Sequence, residues 1–145
     1  MYPEILIVPM REELTKAGAK ELRTAEEVDA ALAEKSGTAL VVVNSVCGCA
    51  AGKMRPGVRR ALQNAVRPDR VYTVFAGQDR EATDRARQHF GDVPPSSPSL
   101  ALYRNGELVH FVPRSAIESR TAEDIAQSLA AVFNQYCEKT VAASN

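Results

Sequence analysis

The sequence predicts an α/β fold, a central mixed β-sheet flanked by helices, and three observations carry that prediction. Residues 38–44, Thr-Ala-Leu-Val-Val-Val-Asn, contain the uninterrupted β-branched run that a strand buried on both faces requires. Asn105-Gly106 joins two further strand-like runs, 99–104 and 107–112, and is the strongest short hairpin signal a sequence offers. Around these runs lie segments whose apolar residues recur at helical spacing. The 145 residues fit a single domain, 1–145, large enough to bury a core without disulfide staples.

Met10 and Leu14 recur among charges in residues 9–17, and Gly18 is placed to end that short helix in a left-handed conformation. Residues 20–23 read as a brief edge strand. Thr24 with Glu27 forms a capping box that opens a helix through Val28, Ala31 and Leu32 to Lys35, where Gly37 stops it. The buried strand follows, at the sheet centre. Val58, Leu62 and Val66 carry a helix to about residue 66, Pro68-Asp69 turns the chain, and a second strand occupies 70–76. Residues 78–90 are a charged surface helix with Gly91 as its stop. A loop of Pro and Ser, 94–98, feeds the hairpin, and Thr121 with Asp124 opens a last helix with Ile125, Leu129, Val132, Phe133 and Tyr136 on one face.

Lys plus Arg number 18 and Asp plus Glu number 18, so no global field recruits nucleic acid or an anionic membrane. The N-terminus has no basic leader or cleavage site, and no apolar run approaches the roughly 20 residues that span a bilayer. A soluble cytoplasmic protein is the expectation. In a reducing compartment, three cysteines favour reactive thiols over a structural framework.

Cys47-Gly48-Cys49 ends the buried strand, and the carboxyl ends of strands are where open α/β folds place their chemistry. Backbone N–H groups of the following turn favour a thiolate there. Cys47 comes first and is expected to be the more exposed nucleophile, with Cys49 resolving the mixed disulfide. A single intervening residue predicts a tight, strained and oxidising Cys47-Cys49 disulfide, eased by the backbone freedom of Gly48. Two other readings stay open for a Cys-x-Cys pattern: core cysteines, or soft-metal ligation by Cys47 and Cys49, with or without Cys137. Lys53, Arg55, Arg59 and Arg60 follow, with Arg55 and Arg59 on one helix face, either as a solvated surface or as a cationic rim beside the thiolate. Pro56 either kinks this helix or marks its first turn.

A strand leading to a thiol turn and helix, a second strand and helix, then a proline loop, hairpin and last helix resembles the thioredoxin fold. The segment from Ser97-Pro98-Ser99 to Gly106-Glu107 looks like the thioredoxin stretch where a cis proline precedes a hairpin strand, with Pro98 at the cis position. The residues from Val43 to Gly57, the Pro-Ser-Ser-Pro-Ser-Leu loop, Val112-Pro113-Arg114, Tyr136-Cys137 and the opening Pro9-Met-Arg-Glu-Glu-Leu together resemble the bacilliredoxin family.

That resemblance implies a thiol-disulfide oxidoreductase that removes a small thiol, bacillithiol, from protein cysteines, with disulfide isomerisation as a possible activity. Its partners would be S-thiolated or disulfide-bonded proteins, with the small thiol as co-substrate and no cofactor or metal. Catalysis falls to Cys47 and Cys49, and Ser97 beside Pro98 is expected to touch the substrate chain. Asn44, Ser45 and Arg55 join these as substrate-binding residues, Arg55 by attracting a carboxylate on the small thiol. Cys137 is either a third redox thiol or a small apolar residue at a helix end. Two departures from thioredoxin stand out: Ser45-Val46 replaces an aromatic residue, and Val41 stands where thioredoxin carries a buried acid. Proton transfer would then use water or a hydrogen bond from Asn44 or Ser45.

Overall fold

The β-branched run becomes strand β2, Thr38–Asn44, and every one of its residues is buried. The structure is a computed structural model that describes residues 1–138. Helix α1 (Glu4–Thr15) and strand β1 (Lys20–Glu21) precede helix α2 (Ala25–Ala33) and β2. After the thiols come a π-helical segment (Ala50–Met54), helix α3 (Arg55–Ala61), strand β3 (Arg70–Phe75) and helix α4 (Arg80–His89). Strands β4 (Ser99–Arg104) and β5 (Glu107–Val112) form the hairpin, followed by helices α5 (Arg114–Glu118) and α6 (Ala122–Tyr136).

The five strands lie in the order β1-β3-β2-β4-β5. β3 runs parallel to β2, with Asn44 beside Phe75, and β1 adds in parallel at the outer edge. β4 runs antiparallel to β2, which sets Ser99 beside Val43, and β5 is antiparallel to β4, with Val112 beside Leu100. The period of two along β2 sends Leu40 and Val42 to one face, against Met54, Val58, Leu129 and Phe133. Ala39, Val41 and Val43 face the other way, against Val28, Val74, Ala82 and Ala86. Helices therefore cover both faces, as the buried run requires.

Both capping boxes form, Thr24 with Glu27 and Thr121 with Asp124. Asn105 and Gly106 both take positive φ, 51° and 84°, the conformation a two-residue hairpin turn needs. Three elements differ from the sequence reading. Helix α1 begins at Glu4 and carries Pro9 inside it, because the carbonyl that loses its partner belongs to Ile5, which is exposed to water. The helix after the thiols is divided: Pro56 has no N–H to offer Gly52, and the backbone widens into the π-helical segment, where the Arg55 N–H reaches the Ala50 carbonyl. Helix α5, five residues long, carries no apolar periodicity by which the sequence would reveal it. Among the described residues, no helix is long and apolar enough to cross a membrane.

α3 packs against α6 at Gly57, where an added Cβ would lie 2.8 Å from Ile125 Cγ2 and 3.1 Å from the Ala122 carbonyl oxygen. Alanine gains about 1 kcal/mol of helix propensity over glycine, whereas overpacking a buried contact costs about 1–3 kcal/mol. Gly57→Ala is therefore expected to destabilise the fold by about 1 kcal/mol net, read as a lower urea midpoint. A higher midpoint would show that the α3–α6 contact yields freely.

Candidate active site

The chain leaves β2 at Asn44, and the two thiols follow on a turn whose Cys47 carbonyl accepts the N–H groups of Ala50 and Ala51, at 3.0 and 3.1 Å. Ser45 closes a small ring there: its Oγ accepts the Cys47 N–H at 3.4 Å and donates to Cys47 Sγ at 3.3 Å. The two sulfurs lie 3.2 Å apart as free thiols. Both cysteines are half-buried, so exposure does not separate them as the sequence reading expected.

Hydrogen bonding separates them instead. Burial works against the Cys47 thiolate, but bonds from Ser45, from the Cys49 thiol and from the backbone N–H groups of Ala50 and Cys49 outweigh it and bring that thiol below its ordinary value. Cys49 moves the other way. Burial raises it first, and the hydrogen bond to Cys47 and the charge on Cys47 add to that rise, with only partial relief from the Arg114 guanidinium. The first thiol is the one poised to ionise.

Beneath the turn lies a buried polar bracket. Asn44 is fully buried; its Oδ1 accepts from Ser45 N–H at 2.9 Å and from Arg55 Nη1 at 3.0 Å, and its Nδ2 donates to the Met10 carbonyl at 3.2 Å. Arg55 also donates to the Ser45 carbonyl at 2.8 Å, and its Nε lies 3.2 Å from Glu13 Oε2. These facts correct two expectations. Arg55 is only 2% exposed and cannot stand on a solvent-facing rim with Arg59, because the π-helical segment turns it inward. Asn44, without exposed surface and with its amide bonded to Ser45, Arg55 and Met10, holds the turn rather than facing a substrate.

The proline loop arrives opposite the thiols. The Ser97-Pro98 bond is cis, Pro98 is buried and Ser97 is half-buried. Ser99 Oγ donates to the Ser96 carbonyl at 3.0 Å. Arg114 follows β5 into the same region: its N–H donates to Ser96 Oγ at 3.2 Å, its Nη1 to the Ser97 carbonyl at 3.5 Å and its Nε to Glu118 Oε2 at 3.3 Å. Its charge is felt by both thiols. Arg114 stands in the Val112-Pro113-Arg114 motif, which was the one sequence signal for it.

A second bracket holds α1 over the strand ends. Arg11, 6% exposed, bonds Asp79 at 2.6 Å, Glu21 at 2.9 Å and Glu4 at 2.8 Å, and lies 5.3 Å from the centroid of the Phe75 ring. This anchor brings the Met10 carbonyl to Asn44 and Glu13 to Arg55. The Pro9-Met-Arg-Glu-Glu-Leu motif carries these residues, but a charged helix reads in sequence as a solvated one.

Cys137 is not part of the site. It caps α6 beside Thr38, Asp69 and Arg104 at the amino end of β2, roughly 20 Å along the strand from Asn44. Burial pushes its thiol up. A ligand set of Cys47, Cys49 and Cys137 is therefore ruled out by distance. Among the described residues, no group of three or more His, Cys, Asp or Glu side chains converges as a metal site.

The family model described as disulphide isomerase matches residues 2–137. A bacilliredoxin of Koribacter versatilis is 60% identical over 145 residues, covering 100% of both chains. One of Shouchella clausii is 52% identical over 138 residues, 95% of each. Among solved structures, oxidised thioredoxin from Plasmodium falciparum superposes with a TM-score of 0.57 at 16% identity, covering 83% of this chain and 100% of that one. A mutant thioredoxin of Halobacterium salinarum gives 0.55 at 18% identity, covering 84% and 93%. At such identities these structures establish the thioredoxin fold.

Two outcomes follow from the bracket and the Ser45 ring. Hydrogen bonds to charged groups are worth about 1.5–3 kcal/mol, so at this half-buried site Ser45→Ala is expected to slow alkylation of Cys47 at pH 7 by roughly three- to tenfold. Its alkylation profile should move to higher pH, since the lost bond favours the thiolate; an unmoved profile would remove Ser45 from this role. Arg55→Met leaves the Asn44 amide oxygen and the Ser45 carbonyl short of a donor and should cost about 1–3 kcal/mol in urea unfolding.

Proposed function

The chain belongs to the bacilliredoxin family of disulphide isomerases, and from that premise we propose that it strips a low-molecular-weight thiol of the bacillithiol kind from protein cysteines, using Cys47 as nucleophile and Cys49 as resolving thiol. Its chemistry is that of a thiol-disulfide oxidoreductase. The observation that carries the finer reading is the asymmetry of the two thiols, one lowered by the Ser45 ring and the backbone, its neighbour raised.

In the first step the Cys47 thiolate attacks the small-thiol sulfur of a protein mixed disulfide. A Cys47-small-thiol disulfide forms, and the protein thiolate leaves and takes a proton from water. In the second step the Cys49 thiol gives up its proton and its sulfur attacks Cys47 Sγ. The Cys47-Cys49 disulfide forms, the small thiol leaves as thiolate, and two electrons have passed from the dithiol to the substrate. An external thiol resolves the same intermediate in the parallel route, leaving as a small-molecule disulfide and restoring the Cys47 thiolate. A later dithiol or small-thiol reductant returns the Cys47-Cys49 disulfide to the free thiols.

Neither route calls for a dissociable cofactor or a metal. Half-burial of the sulfurs beside Ser97 and the buried Pro98 supports a substrate chain lying along that loop. The partners in this reading are S-thiolated or disulfide-bonded proteins and the small thiol itself, and the reducing cytoplasm is the compartment that keeps the dithiol form ready.

Cys47→Ser is expected to reduce release of a small thiol from a labelled protein adduct to the uncatalysed rate. Cys49→Ser keeps the attacking thiol, replaces the thiol donor beside it with a hydroxyl, and should retain the first step within roughly tenfold. It should also accumulate the Cys47 adduct, seen as added mass on the intact protein. Equal loss in both variants, with no adduct on either, would overturn the assignment.

A further inference from the structure

Continuing the β4–β5 register beyond its last pair, Leu100 with Val112, sets Arg114 level with Pro98. The side chain is then tethered on two sides, by Nη1 to the Ser97 carbonyl and by Nε to Glu118, while close to half of it, 47%, stays open to solvent. Helix α5 is fastened from below as well, since Lys53 Nζ donates to the Glu118 carbonyl and ties α5 to the π-helical segment that follows Cys49. Arg114 thus stands where the proline loop, the thiol turn and α5 meet.

The two cations that follow the motif most closely are differently engaged, and Arg59 and Arg60 are exposed farther along α3. Arg55 is buried under the turn, and the Lys53 ammonium is turned onto the end of α5. Among the described residues, Arg114 Nη2 carries no protein hydrogen bond, which leaves one edge of the guanidinium fork for a ligand. Its partner Glu118 is itself 51% exposed and touches only Nε. An exposed pair of this kind holds weakly and is exchanged at small cost for another carboxylate.

We propose that Arg114 is the specificity residue of the site: its guanidinium binds a carboxylate carried by the small thiol of the mixed disulfide, displacing Glu118, while the ligand's sulfur faces Cys47. The proposal rests on the exchange reading above and adds the residue that reads the thiol's anionic end, Arg114 in place of the buried Arg55. A planar fork that pairs two N–H groups with two carboxylate oxygens gives orientation as well as attraction, which a lysine at the same position does not. The ligand is small because its anionic end and its sulfur must both lie within the reach of one arginine beside the thiols. After its hydrogen bond with Glu118, charge at the thiol pair is what most favours the Arg114 cation, as expected of a guanidinium facing the sulfurs.

The test uses one reporter protein whose single cysteine carries either mercaptosuccinate, with two carboxylates, or 2-mercaptoethanol, which is neutral. For Arg114→Gln, kcat/KM is expected to fall roughly tenfold further for the mercaptosuccinyl adduct than for the hydroxyethyl adduct, mainly through KM. Arg114→Lys should recover only part of that difference. Glu118→Gln, which removes the competing carboxylate, should lower KM for the mercaptosuccinyl adduct. Equal losses on both adducts in Arg114→Gln, with the alkylation profile of Cys47 moved to higher pH, would make Arg114 a thiolate-stabilising residue and overturn the proposal. Equal losses with an unmoved profile would assign it to the protein partner and overturn it equally. A wild-type protein that releases neither small thiol would sink the exchange reading itself and this inference with it.

Discussion

The site depends on one constraint, the antiparallel register of β4 on β2 and of β5 on β4. Pairing Val43 with Ser99 fixes the start of β4 against the end of β2, and pairing Leu100 with Val112 brings the end of β5 to the same edge. Three chain segments far apart in sequence, at residues 45–49, 96–98 and 114, thereby arrive at one rim of the sheet. A slip of one residue would carry every β4 side chain to the opposite face and remove Pro98 from the thiols. Burial makes such a slip costly, because β2 is covered on both faces and each of its apolar residues already has its partners.

Register delivers the backbone, and buried charge then sets the turn. Taking a guanidinium from water costs several kcal/mol unless its donors are met. Arg55 recovers part of that cost through two hydrogen bonds from Nη1, to Asn44 and to the Ser45 carbonyl, and through the charge of Glu13, although its buried Nε makes no hydrogen bond among the described residues. Arg11 does so through Glu4, Glu21 and Asp79, which bind α1 across the ends of β1 and β3. The two arginines form one support, since Arg11 fixes the helix that supplies Glu13 and the Met10 carbonyl. A hydrophobic substitute would fill the space without orienting Asn44 and Ser45, and orientation is what the Cys47 ring requires.

Much of this was legible before the structure. The central strand, both capping boxes and the hairpin turn announce themselves through local chemistry, and β4, β5 and α6 lie where their patterns place them. The Cys-Gly-Cys turn and Pro98 were readable from position and family likeness. What the sequence concealed is burial of charge: Arg11 and Arg55 resemble the exposed arginines around them, and only tertiary packing distinguishes Arg55 from Arg59. Arg114 was hidden for a different reason, because its place beside the thiols is a product of strand register across a sheet and leaves no local periodicity. Cys137, which the sequence leaves between a redox thiol and a small apolar residue at a helix end, takes the second role, buried at the far end of the same strand.

The same geometry orders the two thiols in time. Burial, together with the hydrogen bond to Cys47 and the charge on Cys47, raises the Cys49 thiol, which disfavours two thiolates at once. Once Cys47 enters a mixed disulfide, the last two of these influences disappear, leaving burial against the Cys49 thiolate and Arg114 in its favour. The resolving thiol becomes easier to ionise at the moment the proposed cycle needs it. No buried acid is required for that sequence: Val41 occupies the strand as an apolar core residue, and the Asn44 side chain is engaged with Ser45, Arg55 and the Met10 carbonyl of α1. In the proposed cycle the half-buried rim leaves solvent within reach of the Cys49 proton, and the charge of one sulfur acting on the next sets the order of events.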